Sequence, residues 1–183
     1  EMGKIQFDFL VKKGLKPQHA MLDIGCGTLR GGRHFIKYLN PGNYTGFDIS
    51  AKAIEYGKGL VEKEGLADKK AKLIVREKKN LKFEEFKGKT FDFVFAQSVF
   101  THLAAESFEE CFENIGKIMN EKSVFYFTYF MSDRYKHFSI EDFSYPFSHL
   151  ETLAKEYGFA IKDCSNEYPH LIGQKMAEVK RNA

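Results

Sequence analysis

The sequence predicts an α/β fold built on a doubly wound sheet of seven strands, mostly parallel and ending in an antiparallel β-hairpin. Short apolar runs alternate with amphipathic stretches along most of the chain, which is typical of βαβ units. A glycine-rich turn follows the first apolar run, where parallel α/β sheets commonly bind ligands. The last two apolar runs have no helix between them, so they are expected to pair as a hairpin.

The predicted strands are short apolar runs bounded by turn residues. They cover residues 20–24, 44–49, 71–76, 91–96, 123–130, 159–164 and 171–179. Helices are predicted where apolar residues recur at three- and four-residue steps, at 5–13, 33–39, 108–119 and 148–157. A further helix begins after Ser50 as its N-cap, although Gly57 and Gly59 weaken it. Ser148 and Glu151 predict a capping box.

Length and composition fit one domain over residues 1–183, with a lead-in helix inside 1–19 and a loop at 131–147. The 28 basic and 25 acidic residues are too balanced to predict a nucleic-acid partner. No apolar run reaches the ~18 residues of a membrane span, and the N-terminus carries no signal-peptide pattern. Three widely spaced cysteines favour a reducing compartment and a cytoplasmic location. Whether residues precede Glu1 stays open.

Basic residues flank the third predicted strand on both sides. They are Lys69, Lys70, Lys72, Arg76, Lys78, Lys79 and Lys82. One interpretation is an edge strand that its lysines protect from pairing with another chain, and the other is a patch for an anionic partner. The edge interpretation is favoured because lysines are a common device on edge strands.

The turn Asp23-Ile24-Gly25-Cys26-Gly27 lies where the first predicted strand ends and a helix is about to begin. Glycines allow a sharp turn and a close approach of backbone to ligand. Asp48 ends the second predicted strand, where a carboxylate can accept hydrogen bonds from both ribose hydroxyls of a nucleoside. These features together predict a nucleoside-binding site. A dinucleotide is disfavoured, because Arg30 occupies the place of the third fingerprint glycine.

The segment 22–27 resembles the first motif of class I S-adenosylmethionine-dependent methyltransferases, and 46–50 is similar to their ribose-binding strand end. The fourth-strand segment 91–103 resembles family members that carry the letters SVFTHL. The adenine-side match is looser, since Glu77-Lys78 replaces the usual Asp-Ala and Lys82 replaces a proline. The resemblance spans nearly the whole chain, from Leu22 to Val179. It implies a Rossmann-like fold and the cofactor S-adenosyl-L-methionine, with S-adenosyl-L-homocysteine as product.

The resemblance also implies a set of cofactor-binding residues. They are Asp23, Gly25, Cys26, Gly27, Arg30, Asp48, Ile49, Glu77, Lys78, Gln97 and Ser98. Gly25 and Gly27 would bind through backbone, Asp23 would organise the turn, and Ile49 would pack on the adenine. Arg30 would either pair with a carboxylate or lie in solvent at the start of the helix, and both interpretations stay open. Cys26 is expected to fill space in a crowded turn rather than act as a nucleophile.

The acceptor side is predicted less fully. His102 follows the fourth-strand motif and is the candidate general base, with a locally bonded structural histidine as the alternative. Weaker candidates are Tyr135, His137, His149 and His170. The aromatic segment 131–147 is expected to form the pocket wall for a small-molecule acceptor, or else to cover the core. No metal is expected. The alternative functions are a non-catalytic S-adenosylmethionine-binding partner protein and a nicotinamide-dependent oxidoreductase.

Overall fold

The structure is a computed structural model that describes residues 1–77, 80–140 and 142–182. The chain divides into two compact units. The first comprises residues 1–79 together with 93–95, and the second comprises 80–92 together with 96–183. The prediction of one domain over residues 1–183 stays a prediction.

The first unit contains three helices and three complete strands. The helices are α1 (Met2–Lys12), α2 (Gly32–Tyr38) and α3 (Ala51–Lys63), and the strands are β1 (Met21–Ile24), β2 (Tyr44–Asp48) and β3 (Lys72–Val75). Strand β2 pairs in parallel with β1 on one side and with β3 on the other. Residues 93–95, the middle of β4 (Phe91–Ala96), complete this unit.

The strands of the first unit differ in burial, as the sequence predicts. Strand β1 is buried throughout, as is β2 up to Phe47, because parallel strands covered on both faces need apolar residues on both. Strand β3 is exposed at Lys72 and Val75 and lies at the end of the strand order. This placement supports the edge-strand interpretation of the flanking lysines.

The second unit is richer in antiparallel pairs. Its helices are α4 (Ala105–Ile115) and α5 (Phe147–Glu156), and its strands are β5 (Met119–Met131), β6 (Lys136–His137), β7 (Phe143–Tyr145), β8 (Phe159–Asp163) and β9 (Lys175–Arg181). Strand β9 pairs antiparallel with both β5 and β8, whereas β7 pairs in parallel with β5 and antiparallel with β6. The β8–β9 pair is the predicted terminal hairpin.

Aromatic side chains fill the core of the second unit. The Phe100 ring lies 4.6 Å from the Phe108 ring and 4.8 Å from the Phe127 ring, measured between centroids. Tyr145 closes the cluster, 4.5 Å from Phe108. Pairs at such distances stabilise a fold by about 0.5–1.5 kcal/mol beyond the burial of their area. Much of the aromatic content of the chain, which has 19 Phe and 9 Tyr, therefore serves packing.

The predicted α/β class, with a largely parallel sheet and an antiparallel C-terminal hairpin, is confirmed. The count of seven strands is wrong, because the described residues form nine. The additional strands, β6 and β7, have two and three residues and are too short to show an alternating pattern. The final strand also begins at Lys175 rather than at Leu171.

The predicted capping box at Ser148 is wrong as well. Helix α5 begins at Phe147, with Pro146 as N-cap, so Ser148 lies inside its first turn. The Ser50 cap is confirmed, since its hydroxyl accepts a hydrogen bond from the Ala53 N–H at 3.2 Å. No helix in the described part of the chain is both long and apolar enough to cross a membrane.

Candidate functional site

The glycine-rich turn leaves β1 with a backbone that only glycine adopts easily. Gly25 has a φ of 67° and Gly27 a φ of 53°. The N–H groups of Gly25 and Cys26 both donate to the Phe47 carbonyl, at 2.9 and 3.0 Å, which fastens the turn to the end of β2. A Cβ built on Gly27 meets no atom within 4 Å, so the space beside the turn is open to a ligand.

Asp48 is held ready at the end of β2. One carboxylate oxygen accepts the Gly27 N–H at 2.9 Å, and the other accepts the Ser50 N–H at 2.8 Å. An ionised carboxylate has about four acceptor positions, so two further hydrogen bonds can be accepted. The half-buried carboxylate therefore fits the two hydroxyls of a ribose.

Asp23 lies behind this turn with only 5% of its surface exposed. The Tyr44 hydroxyl donates to its Oδ2 at 2.6 Å. Burial raises the pKa of Asp23 to about 7, the Tyr44 hydrogen bond opposes that rise, and the nearby Asp48 charge adds to it. The structure thus connects the two predicted carboxylates electrostatically. Tyr44 was missed by sequence reasoning; its one signal is a bulky polar residue at the start of a buried strand.

Leu29 is the second feature that the sequence did not reveal. It is fully buried although its φ of 63° is unusual for a branched side chain. A Cβ on Gly57 would approach the Leu29 Cγ to 3.0 Å, and one on Gly32 would approach Leu29 Cδ2 to 2.6 Å. Gly57, which weakens α3 by propensity, therefore allows α3 to pack closely against Leu29 of the turn.

Helix α1 packs against the other side of the turn. A Cβ on Gly3 would overlap the Arg30 carbonyl group, and one on Gly31 would overlap the Gln6 side-chain oxygen. Gly3 is required because its Cα lies against backbone, whereas the Gln6 side chain lies over Gly31. The predicted lead-in helix is therefore a support for the backbone that precedes α2.

The remaining predicted residues of the first unit differ in exposure. Ile49 is 52% exposed directly after Asp48, so it is available to pack on a flat ligand. Arg30 and Glu77 are exposed, and Glu77 follows the carboxyl end of β3. Cys26 is buried against Gly46, and burial raises the pKa of its thiol, which disfavours the reactive thiolate. Both observations agree with a side chain that fills space in the turn rather than acting as a nucleophile. Lys78 lies outside the described residues.

In the second unit, Gln97 and Ser98 follow β4 and enter a polar cluster. The Gln97 side chain has contacts to Tyr168 at 2.5 Å, His170 at 2.7 Å and Gln174 at 3.2 Å. The Ser98 hydroxyl donates to Gln174 at 3.1 Å. Carboxyl ends of strands are where open α/β sheets bind ligands.

The partners of Gln97 and Ser98 are well buried. Thr128, whose hydroxyl accepts the Ser98 N–H at 2.8 Å, has no exposed surface, while Tyr168 and Gln174 expose 2% and 5%. Buried polar groups require such mutual hydrogen bonds. Tyr168 and Gln174 were missed by sequence reasoning, since they lie more than 70 positions from Gln97. The one sequence signal for this cluster was Gln97 itself, a single polar side chain directly after an apolar run.

His102 lies on a short 3₁₀ turn (Phe100–His102) of the second unit and is half exposed. Its Nδ1 lies 3.1 Å from Asp142 Oδ1. A carboxylate on Nδ1 orients an imidazole with Nε2 directed away from it, as in many proton-transfer sites. Two of the weaker candidates are engaged in ring stacking: His137 lies 4.4 Å from Phe143, and His149 lies 5.9 Å from Tyr145, measured between ring centroids.

No group of His, Cys, Asp and Glu side chains suited to hold a metal ion occurs within residues 1–77, 80–140 and 142–182.

Known proteins resemble this chain over most of its length. The pattern of the family described as "Methyltransferase domain" matches residues 15–182. A curated relative, the sterol 24-C-methyltransferase ERG6B of Gibberella zeae, is 28% identical over 129 residues. That alignment covers 70% of this chain and 32% of the relative, so the chain spans about a third of the relative's length.

Two solved structures share the fold. Magnesium protoporphyrin IX methyltransferase from Synechocystis PCC 6803 with bound SAM aligns with a TM-score of 0.74 at 15% identity, covering 98% of this chain and 80% of that one. An S-adenosylmethionine-dependent methyltransferase from Clostridium acetobutylicum ATCC 824 aligns with a TM-score of 0.72 at 14% identity, covering 100% and 91%. The chain therefore belongs to the methyltransferase-domain family, as the sequence predicted, and it shares the fold of these S-adenosylmethionine-dependent enzymes.

Proposed function

We propose that this protein transfers the methyl group of S-adenosylmethionine to a small-molecule acceptor in the cytoplasm. The observation that carries the proposal is the open glycine turn with Asp48 fixed beside it by two backbone hydrogen bonds. Gly25 and Gly27 would bind the methionine part through backbone, and Asp48 would bind the ribose. Ile49 would cover the adenine, with Glu77 and Lys78 at its edge, while Cys26 fills the turn and Asp23 organises it.

The bound cofactor supplies a methyl group on a sulfonium, which the acceptor displaces directly. The work of the protein is to align acceptor, methyl and leaving sulfur. Gln97 and Ser98 would serve at the reacting centre, and Arg30 at a carboxylate of cofactor or substrate. His102, oriented by Asp142, would take a proton where the acceptor must lose one.

The acceptor is proposed to be a largely apolar molecule. Tyr135 and Phe138 are about half exposed in the segment 131–147, so aromatic surface is available for such a ligand. The named acceptors of the relatives, a sterol and a protoporphyrin, are also large ring systems. The balanced net charge of +3 does not favour a nucleic acid.

Calorimetric titration with S-adenosylmethionine, S-adenosylhomocysteine and NADH tests the cofactor site. The two sulfur nucleosides are expected to bind, and Asp48→Ala to weaken them by at least about tenfold through lost ribose hydrogen bonds. Asp68→Ala removes an exposed carboxylate elsewhere in the same unit and serves as control. Binding of NADH alone would replace this proposal with an oxidoreductase.

Transfer of a labelled methyl group to a defined panel tests the reaction. The panel contains catechol, a long-chain fatty acid, a primary amine, a thiol, a sterol and a porphyrin. Labelled product with any member supports the enzyme. Tight binding of S-adenosylmethionine without transfer to any member would favour a non-catalytic binding partner instead.

A further inference from the structure

His170, a weaker base candidate in the sequence, contacts the residue proposed to serve at the reacting centre. It lies between β8 and β9, in the same unit as Gln97. Its Nδ1 accepts the backbone N–H of Ile172 at 3.3 Å and of Gln174 at 3.4 Å. Its Nε2 lies 2.7 Å from the side-chain nitrogen of Gln97, whose side-chain oxygen accepts a hydrogen bond from the Tyr168 hydroxyl at 2.5 Å. The ring therefore joins a backbone loop to the Gln97 carboxamide.

A neutral imidazole has one lone pair and one N–H, so the two sides of the ring cannot play the same part. The N–H groups of Ile172 and Gln174 belong to the backbone and can only donate. Nδ1 must then hold the lone pair, and Nε2 must hold the proton. Burial lowers the pKa of His170, which favours this neutral form.

The proton on Nε2 selects the orientation of Gln97. A carboxamide has an oxygen and an NH₂ of nearly equal size, and turning it by 180° exchanges them. In the orientation that the structure shows, the NH₂ faces Nε2, so a proton on Nε2 opposes one donor with another. Turned by 180°, the carboxamide places its oxygen there, and the oxygen accepts the Nε2–H hydrogen bond. The Tyr168 hydroxyl can donate or accept a hydrogen bond, and the Gln174 carboxamide can also turn by 180°. Both groups can therefore form hydrogen bonds with Gln97 in either of its orientations.

We infer that His170 is a positioning residue, whose Nε2–H orients the Gln97 carboxamide and thereby fixes which polar group the end of β4 presents to the methyl acceptor. This inference rests on the proposed function, because it assigns Gln97 to the reacting centre. The ring acts through Gln97 and does not touch the acceptor itself.

Two substitutions separate the two halves of the ring. In His170→Asn the side-chain oxygen falls near the Nδ1 position, so the loop hydrogen bonds are kept and the Gln97 contact is lost. In His170→Gln the amide reaches the Nε2 position, so the Gln97 contact is kept and the loop contacts weaken. His19→Asn is the matched control, because His19 Nδ1 also accepts a backbone N–H, from Lys16 at 3.1 Å, in the other unit.

Nuclear magnetic resonance of the ¹⁵N-labelled chain tests the orientation without any acceptor. The His170 ring is expected as the neutral tautomer protonated at Nε2. The two Gln97 amide protons should be distinct and protected in the wild type and in His170→Gln, but averaged with solvent in His170→Asn. A ring protonated at Nδ1, or unchanged Gln97 amide signals in His170→Asn, would overturn the inference.

Kinetics with the panel member that the wild-type chain methylates provide the functional readout. His170→Asn should lower kcat/KM for the acceptor at least about tenfold through misplacement of Gln97, and it should lower this constant by a larger factor than it weakens the binding of S-adenosylhomocysteine. His170→Gln should restore most of that loss. Turnover of His170→Asn equal to that of His19→Asn would reduce His170 to a structural role. If the wild type methylates no panel member, the proposed function fails, and the resonance experiment still decides the orientation.

Discussion

Asp23 is a residue whose chemistry opposes folding. A buried carboxyl near a second carboxylate resists ionisation, and its pKa of about 7 compares with an ordinary value of 3.8. The folded chain therefore holds this proton more tightly than the unfolded chain. Between about pH 4 and 7 this group makes the free energy of unfolding fall as the pH rises. Retaining a carboxyl there is consistent with its proposed role in the cofactor turn.

Asp23→Asn is expected to stabilise the chain at high pH. The amide keeps the shape and can accept the Tyr44 hydrogen bond, but it carries no charge. The difference in unfolding free energy between variant and wild type should grow from pH 4 to pH 7 and reach at most about 4 kcal/mol. Urea denaturation across this range measures it. A difference that does not vary with pH would contradict the raised pKa.

His102 allows a second prediction on a single residue. His102→Gln keeps a polar side chain beside Asp142 but removes the base, so turnover with a panel acceptor should fall about 10²-fold. The affinity for S-adenosylhomocysteine should not change. His19→Gln, at a histidine that is not among the candidate bases, is the control. Equal turnover in both variants would leave His102 a local structural residue.

The sequence signals for the predicted site residues are local, and the binding roles of these residues stay predictions. Gly25, Gly27 and Asp48 follow strand ends, so pattern alone identifies them, and the structure places the Gly27 N–H on Asp48. Tyr44 and Gln174 act through contacts with residues far away in the chain. Such contacts depend on strand register and loop path, which one sequence does not encode in any short pattern.

At the level of elements, α1 owes its position to two glycine contacts. The helix packs so closely on the backbone before α2 that Gly3 admits no Cβ, and Gln6 lies against Gly31. The sequence predicted a helix here from its apolar spacing, within a few residues of its bounds. It did not predict what the helix packs against, because a helical pattern shows only which face is apolar.

Two glycine-to-alanine substitutions in helices test that contact: Gly3→Ala lies at the contact, and Gly59→Ala is the control in open space. Gly3→Ala should destabilise the chain by about 1–3 kcal/mol, because the methyl group meets the backbone at Arg30 and neither side can yield cheaply. Gly59→Ala, in α3 with no atom within 4 Å of the added Cβ, should stabilise it by about 0.5–1 kcal/mol. Thermal unfolding of both variants tests the pair. Stabilisation by Gly3→Ala would exclude the close packing.

Elements were hardest to predict where they are short. Strands β6 and β7 have no period that can be counted, and they exist because the end of β5 offers an edge to pair with. The misplaced start of α5 has a comparable cause. Pro146 occupies the N-cap position, so the helix begins before the Ser148 pattern takes effect.

At the scale of the whole molecule, all three cysteines are buried. Cys111 and Cys164 expose 0% and 2%, and Cys26, in the glycine turn, exposes 8%. Thiolates are the reactive form, and burial raises the pKa of the Cys26 thiol, which suppresses that form further.

The native chain should therefore react slowly with Ellman's reagent, whereas three thiols should react at once in concentrated guanidinium. In intermediate denaturant, labelling should follow the loss of secondary structure measured by circular dichroism. Cofactor binding should slow it, since a ligand stabilises the folded chain. Rapid labelling of one thiol in the absence of denaturant would contradict the burial.

The fold class was predictable because alternation of strands and helices persists over most of the chain and tolerates errors in single elements. Strand number and the division into two compact units were not, since both depend on contacts that no local pattern records. The same distinction applies to the site: the family resemblance identified its cofactor, whereas the polar cluster around Gln97 emerged only from the structure.

Burial of every native thiol makes the chain a convenient scaffold for spectroscopic reporters. Ile140, between β6 and β7, exposes 93% of its surface. A cysteine introduced there would be the one readily labelled position, and a dye on it could be attached without first removing Cys26, Cys111 or Cys164. Its emission would then report in real time whether ligands that enter at the aromatic segment change its surroundings.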